Sequence, residues 1–518
     1  MNRRRERASV VVVVVWSVAI AAVLVAATQV VTFRQAVVGR ETLARVQARW
    51  AARAGVEQMI AIMEFHLKNA DPDDPMAVVR DMEEHAIGET ATGSWDIRHY
   101  LDGIQWAGPM DEGAKLNINV ATRLALTNLP GMTPDVVDAI IDWRDENDEV
   151  EGLGAERDYY SNRSLGYRPR NGNFRSLAEL ELVAGAWPDN VRGEDWNLNG
   201  RLDPNEDDGP KSFPNDKPDG KLDGGWSQYL TAFSKQSPVS TSGEDKLPLK
   251  GSDEEGLTKR LAISADQARA LIAYGNQPNA RPENLLITPL SQLAGGTTGN
   301  TGNRTGGGTG GGAGGTGGGM TGRAPTGGGG TGGAKGSTGS VAVGGKADGG
   351  SSGGRGGATA GGAGGGSGAT SGRSSGGRST GGTGTNAVQD LNPEQLRAVL
   401  RELTGDDFSK PVPGRMNINT VPEAVLKEVL EIDPRVADAI IARRKSKPEG
   451  ITSLADLSSM SGINPQVLGQ LATQFDVTSS VYTVTSRGRA ASTGAEVEIE
   501  AVVDKSKLPA TIISYREQ

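Results

Sequence analysis

The sequence predicts an α+β fold in which a long N-terminal transmembrane helix backs a small antiparallel sheet and an all-α domain of two repeated helical hairpins is inserted between strands. Three observations carry this reading. An uncharged apolar run extends from Ala8 to Phe33, and helical periodicity continues beyond Arg34 to Lys68. One motif occurs twice, as Leu116-Asn-Ile-Asn119 and Met416-Asn-Ile-Asn419, offset by 300 residues. The C-terminal residues alternate apolar and polar side chains, the period of half-buried strands.

A helix of roughly 20 apolar residues crosses a bilayer's hydrocarbon core, and the run from Ala8 to Phe33 has that length. A cleaved secretory signal, the rival reading, has an apolar region of only ~7–15 residues. Arg3, Arg4, Arg5 and Arg7 precede the run, which by the positive-inside rule puts Met1 in the cytoplasm and the bulk of the chain outside. From Gln35 to Lys68 there is no proline, and apolar residues recur at helical spacing in Val46, Trp50, Ala54, Met59, Ile60 and Met63. One continuous helix is the simplest account, with an anchor followed by a separate helix as the alternative. Asp71-Pro72-Asp73-Asp74-Pro75 stops it. Trp95–Leu101, Gly103 and Ile104–Trp106 then read as a hairpin.

In the repeats, each Asn-Ile-Asn is followed by a helix and then by a second one. These are Pro134-Asp-Val-Val-Asp-Ala-Ile-Ile141 with Arg144, and Pro434-Arg-Val-Ala-Asp-Ala-Ile-Ile441 with Arg444. Pro134 and Pro434 suit the first helical position, where no N–H is needed. Val136, Ile140 and Ile141 form an apolar face, as do Val436, Ile440 and Ile441. Each copy has a tail, Phe174–Leu180 and Ile451–Leu457. There Ser176 and Ser453 are expected N-caps, with Glu179 and Asp456 placed to complete capping boxes. Val481–Arg487, Ala495–Val503 and Thr511–Tyr515 predict a three-strand meander.

Composition narrows the chemistry. Most of the 74 glycines among 518 residues fall in one Gly/Thr/Ser/Ala tract from Gly295 to Asn386. Such a tract cannot bury enough apolar surface to offset chain entropy, so disorder is expected there. The absence of cysteine removes disulfides, thiolate catalysis and zinc–thiolate sites. A net charge of −9 argues against a field that holds nucleic acid. His66, His85 and His99 stand in no metal-ligand or triad context, and the Gly-rich tract lacks the phosphate-loop pattern, so no enzyme activity is expected.

The sharpest local motif is Asp195-Trp-Asn197-Leu-Asn199-Gly200-Arg201-Leu-Asp203-Pro-Asn-Glu206. It matches the EF-hand calcium loop: oxygen side chains at positions one, three, five and nine, Gly at six and Glu at twelve. Ca²⁺ takes six to eight oxygens, and Arg201 would supply its backbone carbonyl. A plain acidic surface loop is the bland alternative. Asn215–Asp223 repeats part of the pattern with Asp219, Gly220 and Asp223, either as an irregular second site or as a source of further oxygens. The expected role of the ion is structural.

Around Asn128-Leu129-Pro130-Gly131-Met132 the repeats resemble helix-hairpin-helix modules, which hold DNA phosphate on helix-start N–H groups. Thr133 replaces the usual second glycine, however, and Glu431-Ile432-Asp433 puts acids where phosphate would sit. Nucleic acid is therefore not expected as a partner, and the basic run Arg443, Arg444, Lys445, Lys447 reads as a solvated helix end.

Asn117-Ile118-Asn119 and Ala139-Ile140-Ile141 with Arg144, together with their second copies, the basic start and the apolar helix, resemble the minor pseudopilins of the K class in type II secretion systems. The resemblance implies a pilin-like core (the helix and sheet) with the two helix-hairpin-helix-like, SAM-like repeats inserted. It divides the chain into a basic leader (1–8), a transmembrane helix (9–33), a pilin-like helix with the first strands (34–113) and an inserted helical domain holding the first repeat and the calcium loop (114–294). The Gly-rich insertion (295–386), the second repeat (387–478) and the C-terminal strands (479–518) follow. The family further implies a non-enzymatic role in initiating or capping the pseudopilus tip. Its implied partners are the I- and J-class minor pseudopilins, the major pseudopilin, a prepilin peptidase and the inner membrane. Processing is expected between Ala8 and Ser9, although such leaders usually end in Gly. Val13 stands where most pilins carry Glu, which suits a subunit with none above it. The Gly-rich insertion and the long acidic loop depart from the family pattern. A minor pilin of a type IV pilus and a membrane-anchored helix-hairpin-helix DNA receptor are the alternatives.

Overall fold

The computed structural model describes residues 2–162, 166–295 and 388–518, the side chains of residues 2–9 and 295 excepted. The expected Gly-rich insertion, beyond residue 295, lies outside the described residues.

Helix α1 (Asn2–Lys68) is unbroken. At 1.5 Å per residue its 67 residues extend about 100 Å. Among the described residues it is the one helix long and apolar enough to cross a membrane, with a mean hydropathy of 3.0 in its most apolar window. α2 (Ala77–Glu84) follows, then β1 (Ile87–Thr90), β2 (Gly93–Leu101), β3 (Ile104–Ala107) and β4 (Met110–Asp111). The expected β2–β3 hairpin forms in register Arg98↔Ala107, and β1, which alternation alone did not reveal, pairs with the first half of β2.

The chain then leaves the sheet. β5 (Leu116–Asn117), α3 (Arg123–Thr127), α4 (Pro134–Arg144), α5 (Arg157–Asn162), α6 (Pro188–Arg192) and β6 (Leu230–Thr231) build the first repeat and the acidic loop. A small bundle follows: β7 (Leu247–Pro248), α7 (Glu254–Leu261), α8 (Ala265–Gly275), α9 (Leu290–Gly295), α10 (Pro393–Glu402) and β8 (Leu403–Thr404). The second repeat holds β9 (Met416–Asn417), α11 (Pro434–Ser446), α12 (Pro465–Gln474) and β10 (Phe475–Asp476). The chain re-enters the sheet as β11 (Val481–Ala490), β12 (Glu496–Asp504) and β13 (Thr511–Glu517), the expected meander. The sheet order is β1-β2-β11-β12-β13, with β3 on β2 and β4 on β11, so the helical domain is inserted between strands that are hydrogen-bonded neighbours.

The outer half of α1 packs on the sheet by a face that takes in Met59 and Met63 of the expected apolar set but leaves out Val46 and Trp50. Ala44, Ala48, Ala51, Ala52, Met59 and Met63 are fully buried, whereas Val46 and Trp50 are 45% and 61% exposed. Contact distance explains this. A Cβ on Gly488 of β11 would come within 2.0 Å of the Ala48 carbonyl oxygen, so only small residues fit the seam.

The two repeats share one core, in which Leu126, Ile140 and Trp143 meet Leu426, Ile440 and Phe475. The α7–α10 bundle has its own core around Leu257, Leu271, Tyr274 and Val399. Ser176 and Ser453 cap their turns, accepting from Ala178 N at 3.1 Å and Ala455 N at 3.2 Å. The expected capping boxes do not close. Both turns, Leu177–Leu182 and Leu454–Ser459, are 3₁₀, and Glu179 accepts from Arg175 N instead of Ser176 N.

Candidate metal centres and the repeat interface

The repeated residues prove to be clamps. Asn119 and Phe174 exchange two bonds, Phe174 N to Asn119 Oδ1 at 2.7 Å and Asn119 Nδ2 to Phe174 O at 3.1 Å. Asn419 and Ile451 do the same at 2.8 and 3.0 Å. Arg144 donates to the carbonyls of Ile118 and Ala121, and Arg444 to those of Ile418 and Val421. Each Asn-Ile-Asn turn is thus tied to its tail and to its second helix, leaving few backbone groups for an outside ligand.

The first hairpin turn is covered. Pro130 O accepts from Trp226 Nε1 at 2.8 Å, and Asn128 Nδ2 reaches Val429 O of the second repeat at 3.1 Å. In the second hairpin Glu431 takes the positive φ of +50° that glycine would otherwise supply. Asp433 caps α11 by accepting from Arg435 N at 2.8 Å, which places a carboxylate where a phosphate would bind.

In the acidic loop, Asp195–Glu206, the backbone turns around the carboxylates of Asp195 and Glu206. Asp195 accepts from Asn199 N and Gly200 N, both at 2.9 Å, and Gly200 turns the chain at φ +65°. Asn197 Oδ1 accepts from Asn199 N, and Asn199 Oδ1 from Arg201 N. Glu206 reaches back to Trp196 N and Asp203 N at 3.1 and 3.0 Å. The structure therefore brings Asp195, Asn197, Asn199, Asp203 and Glu206 together, and the Arg201 backbone lies in the same turn. Burial, then the Asp195 and Asp203 charges, pushes Glu206 up to about 8. Burial pushes Asp195 up to about 6. Carboxylates this crowded resist ionisation together, and a divalent cation relieves that. The loop oxygens are engaged within the protein: Asp203 accepts from Asn197 Nδ2, Asn199 Nδ2 and Arg487, and both Glu206 oxygens accept from backbone N–H groups, so a cation would have to displace some of these bonds.

Asp219 and Asp223 stand apart. Both are exposed, and their carboxylates accept from Lys221 N and Gly225 N of their own turns. Glu194 joins the two segments, accepting from Lys217 N and Asp223 N. Ala8 and Ser9 lie on the backbone of α1, and their side chains are outside the described residues.

The acidic loop also sits on the polar face of the sheet. Arg487 of β11 bridges Asp203 at 2.5 Å and Glu498 of β12 at 2.8 Å. The buried Arg201 side chain donates to Asp96 O of β2 at 3.0 Å, and Tyr100 N donates to Gly200 O at 2.8 Å.

A second acidic centre escaped the sequence reading. Oxygens of Asp142, Asp145 and Glu156 lie within 4.8 Å of one another. Asp142 and Glu156 are buried, and both Glu156 oxygens lack a hydrogen-bond partner. Burial, then the charges of Asp142, Asp145 and Asp148, pushes Glu156 up to about 7. Burial raises Asp142 as well. Asp142 accepts from Glu151 N at 3.0 Å and Asp138 from Leu153 N at 2.8 Å, which folds the loop over the end of α4. A signal was present in sequence, since Asp142 and Asp145 close α4 and Glu156 follows two glycines. The irregular spacing between them matches no short motif.

A helix whose first half is long and apolar enough to cross a membrane and whose second half packs on an antiparallel sheet, with a helical domain inserted between neighbouring strands, defines an α+β protein of pilin-like fold. Residues 111–193, from β4 through α6, match the family model of type II secretion system (T2SS), protein K. Residues 414–476 match the helix-hairpin-helix motif. A crystal structure of the GspK–GspI–GspJ complex from the enterotoxigenic Escherichia coli type 2 secretion system aligns over 93% of this chain and 99% of that chain, at 10% identity and a TM-score of 0.38. A comparison with curated proteins returns no match.

Proposed function

We propose that this chain is a non-enzymatic minor pseudopilin that initiates or caps the pseudopilus tip in type II protein secretion. The protein K domain match over residues 111–193, placed inside a pilin-like frame, carries the reading. The chain is held in the inner membrane by α1, with its N-terminus cytoplasmic and its bulk periplasmic. Leu43, Val46, Trp50 and Phe65 on the outward face of α1 are 57%, 45%, 61% and 57% exposed, which supports docking of neighbouring subunit helices there. The I- and J-class minor pseudopilins and the major pseudopilin are the partners, and the prepilin peptidase processes the leader. Structural cations, Ca²⁺ by donor chemistry, hold the 195–206 loop and the Asp142–Asp145–Glu156 centre closed.

The test is capture of I- and J-class subunits by the detergent-solubilised full chain, with calcium and with chelator. A stable ternary complex that weakens in chelator is the expected result. Failure to bind in either condition, with retention on DNA, would favour the DNA-receptor alternative; binding only to type IV minor pilins would favour the other.

A further inference from the structure

Where α1 leaves its apolar run it becomes basic. Between residues 34 and 49 it carries Arg34, Arg40, Arg45 and Arg49 against a single acid, Glu41, and all five are exposed. Arg45 is engaged with Glu41 at 3.4 Å and Arg49 with Glu517 at 2.7 Å. Arg34 makes no ion pair among the described residues. Arg40 donates through Nη2 to the carbonyl of Ser492, at 3.1 Å, in the turn between β11 and β12. Ser492 Oγ donates in turn to Gln47 at 2.9 Å, and Ala490 packs on Ala44 and Ala48. This turn is thus clasped to α1 over residues 40–48, at the start of the helix stretch that packs on the sheet.

The helix sets the depth. Arg34 directly follows Phe33, the last residue of the apolar run, and Arg40 lies about 10 Å further out at 1.5 Å per residue. A bilayer's headgroup layer is about 5–8 Å thick on each side of its hydrocarbon core. Arg34 therefore meets the boundary where a long basic side chain reaches outward to phosphates, and Arg40 with the Ser492 turn meets the outer edge of that layer. Arg489 flanks the same turn, 66% exposed at its side chain, with Glu496 3.9 Å away as its local counter-charge.

We propose that Arg34, Arg40 and the β11–β12 turn form a docking surface for anionic lipid headgroups, seating the head on the leaflet from which α1 emerges. The inference rests on the membrane-anchor reading of α1 and extends it: the membrane-held subunit has a fixed pose, and leaving the membrane for a filament requires breaking these phosphate contacts. Charge complementarity and continuity with the apolar run select lipid phosphate as the occupant.

The chain has no cysteine, so a single Thr493→Cys change on the exposed turn allows one fluorescent label on the full-length protein. The labelled chain is reconstituted in vesicles of phosphatidylcholine and in vesicles of phosphatidylcholine with phosphatidylglycerol, each carrying headgroup spin-labelled lipid as quencher. Quenching should be stronger in the anionic vesicles and should fall at high salt. Arg34→Gln, which breaks no contact within the fold, should weaken that preference about fivefold, as should Arg40→Gln. Equal quenching in both compositions, or a preference unchanged by Arg34→Gln, overturns the proposal. Flotation of the unlabelled chain with neutral vesicles reads the anchor separately. If it fails to float, the anchor reading falls; if it floats while quenching ignores lipid charge, only the docking proposal falls.

Discussion

Two positions show how much a single residue decides. At Gly488 the absence of a side chain lets β11 approach α1 so closely that an added Cβ would lie 2.0 Å from Ala48 O and 2.3 Å from Ala52 N. Both obstacles are helix backbone, which cannot rotate away. Gly488→Val is therefore expected to cost about 3 kcal/mol or more, at the upper end of overpacking substitutions, with a lower urea midpoint and an unchanged slope. His99 is the second position. Burial, only partly offset by its bond to Gly108 O at 2.8 Å, holds its imidazole down to about 4. The folded state then binds fewer protons than the unfolded state between about pH 4 and pH 6.5. Stability is fully present above that window and is lost as pH falls through it. Thermal melts of the wild type should show this loss and those of His99→Gln should show less of it, apart from the carboxylate contribution common to both. Neither position was legible beforehand: Gly488 sits in an ordinary alternating strand, and nothing near His99 in sequence announces that its imidazole is held neutral.

At the scale of elements, local signals were strong where short-range chemistry sets the structure. Pro134 and Pro434 open α4 and α11, Ser176 and Ser453 cap their turns, and the 195–206 loop closes on the residues its spacing picks out. Legibility ended where partners come from elsewhere in the chain. The apolar spacing of Val46 and Trp50 pointed to one face of α1, but the glycines of β2 and β11 select the alanine face. The Asp142–Asp145–Glu156 centre was not picked out because a loop, and not a short motif, brings Glu156 back to α4. These two acidic elements give a paired expectation. Calcium should raise the melting temperature of the wild type in chelator-treated buffer, by an amount equivalent to about 2.7 kcal/mol for each occupied site at a hundredfold excess over that site's Kd. Glu206→Gln and Glu156→Gln should each remove part of that gain, and the double variant most of it. Separate steps in a calorimetric calcium titration, one missing in each single variant, would distinguish two independent sites. A full response in the double variant would sink both assignments.

For the whole molecule, the question is how much so long a Gly-rich tract costs the assembly of the cores. The described residues on either side of it are held together: Ser291 N donates to Asp390 Oδ1 at 2.9 Å, and Gln267 Nε2 to Asp390 O at 3.1 Å. α9 and α10 belong to one bundle whose core includes both Leu290 and Val399. The described residues on the two sides of the tract therefore meet at one place in the bundle. Closing a flexible loop costs about 0.6 kcal/mol for each doubling of length. Replacing residues 296–387 by a Gly/Ser linker of about eight residues shortens it by between three and four doublings. The expected result is a gain of about 2 kcal/mol for the bundle, read as slower hydrogen exchange in α7–α10, with the shared core of the repeats and the sheet unchanged. A loss of protection in α7–α10 would mean that the tract contributes contacts to the bundle, contrary to its composition. Capture of the I- and J-class subunits by the shortened chain then separates two roles: unchanged capture leaves the tract as a tolerated insertion, and lost capture makes it part of the interface.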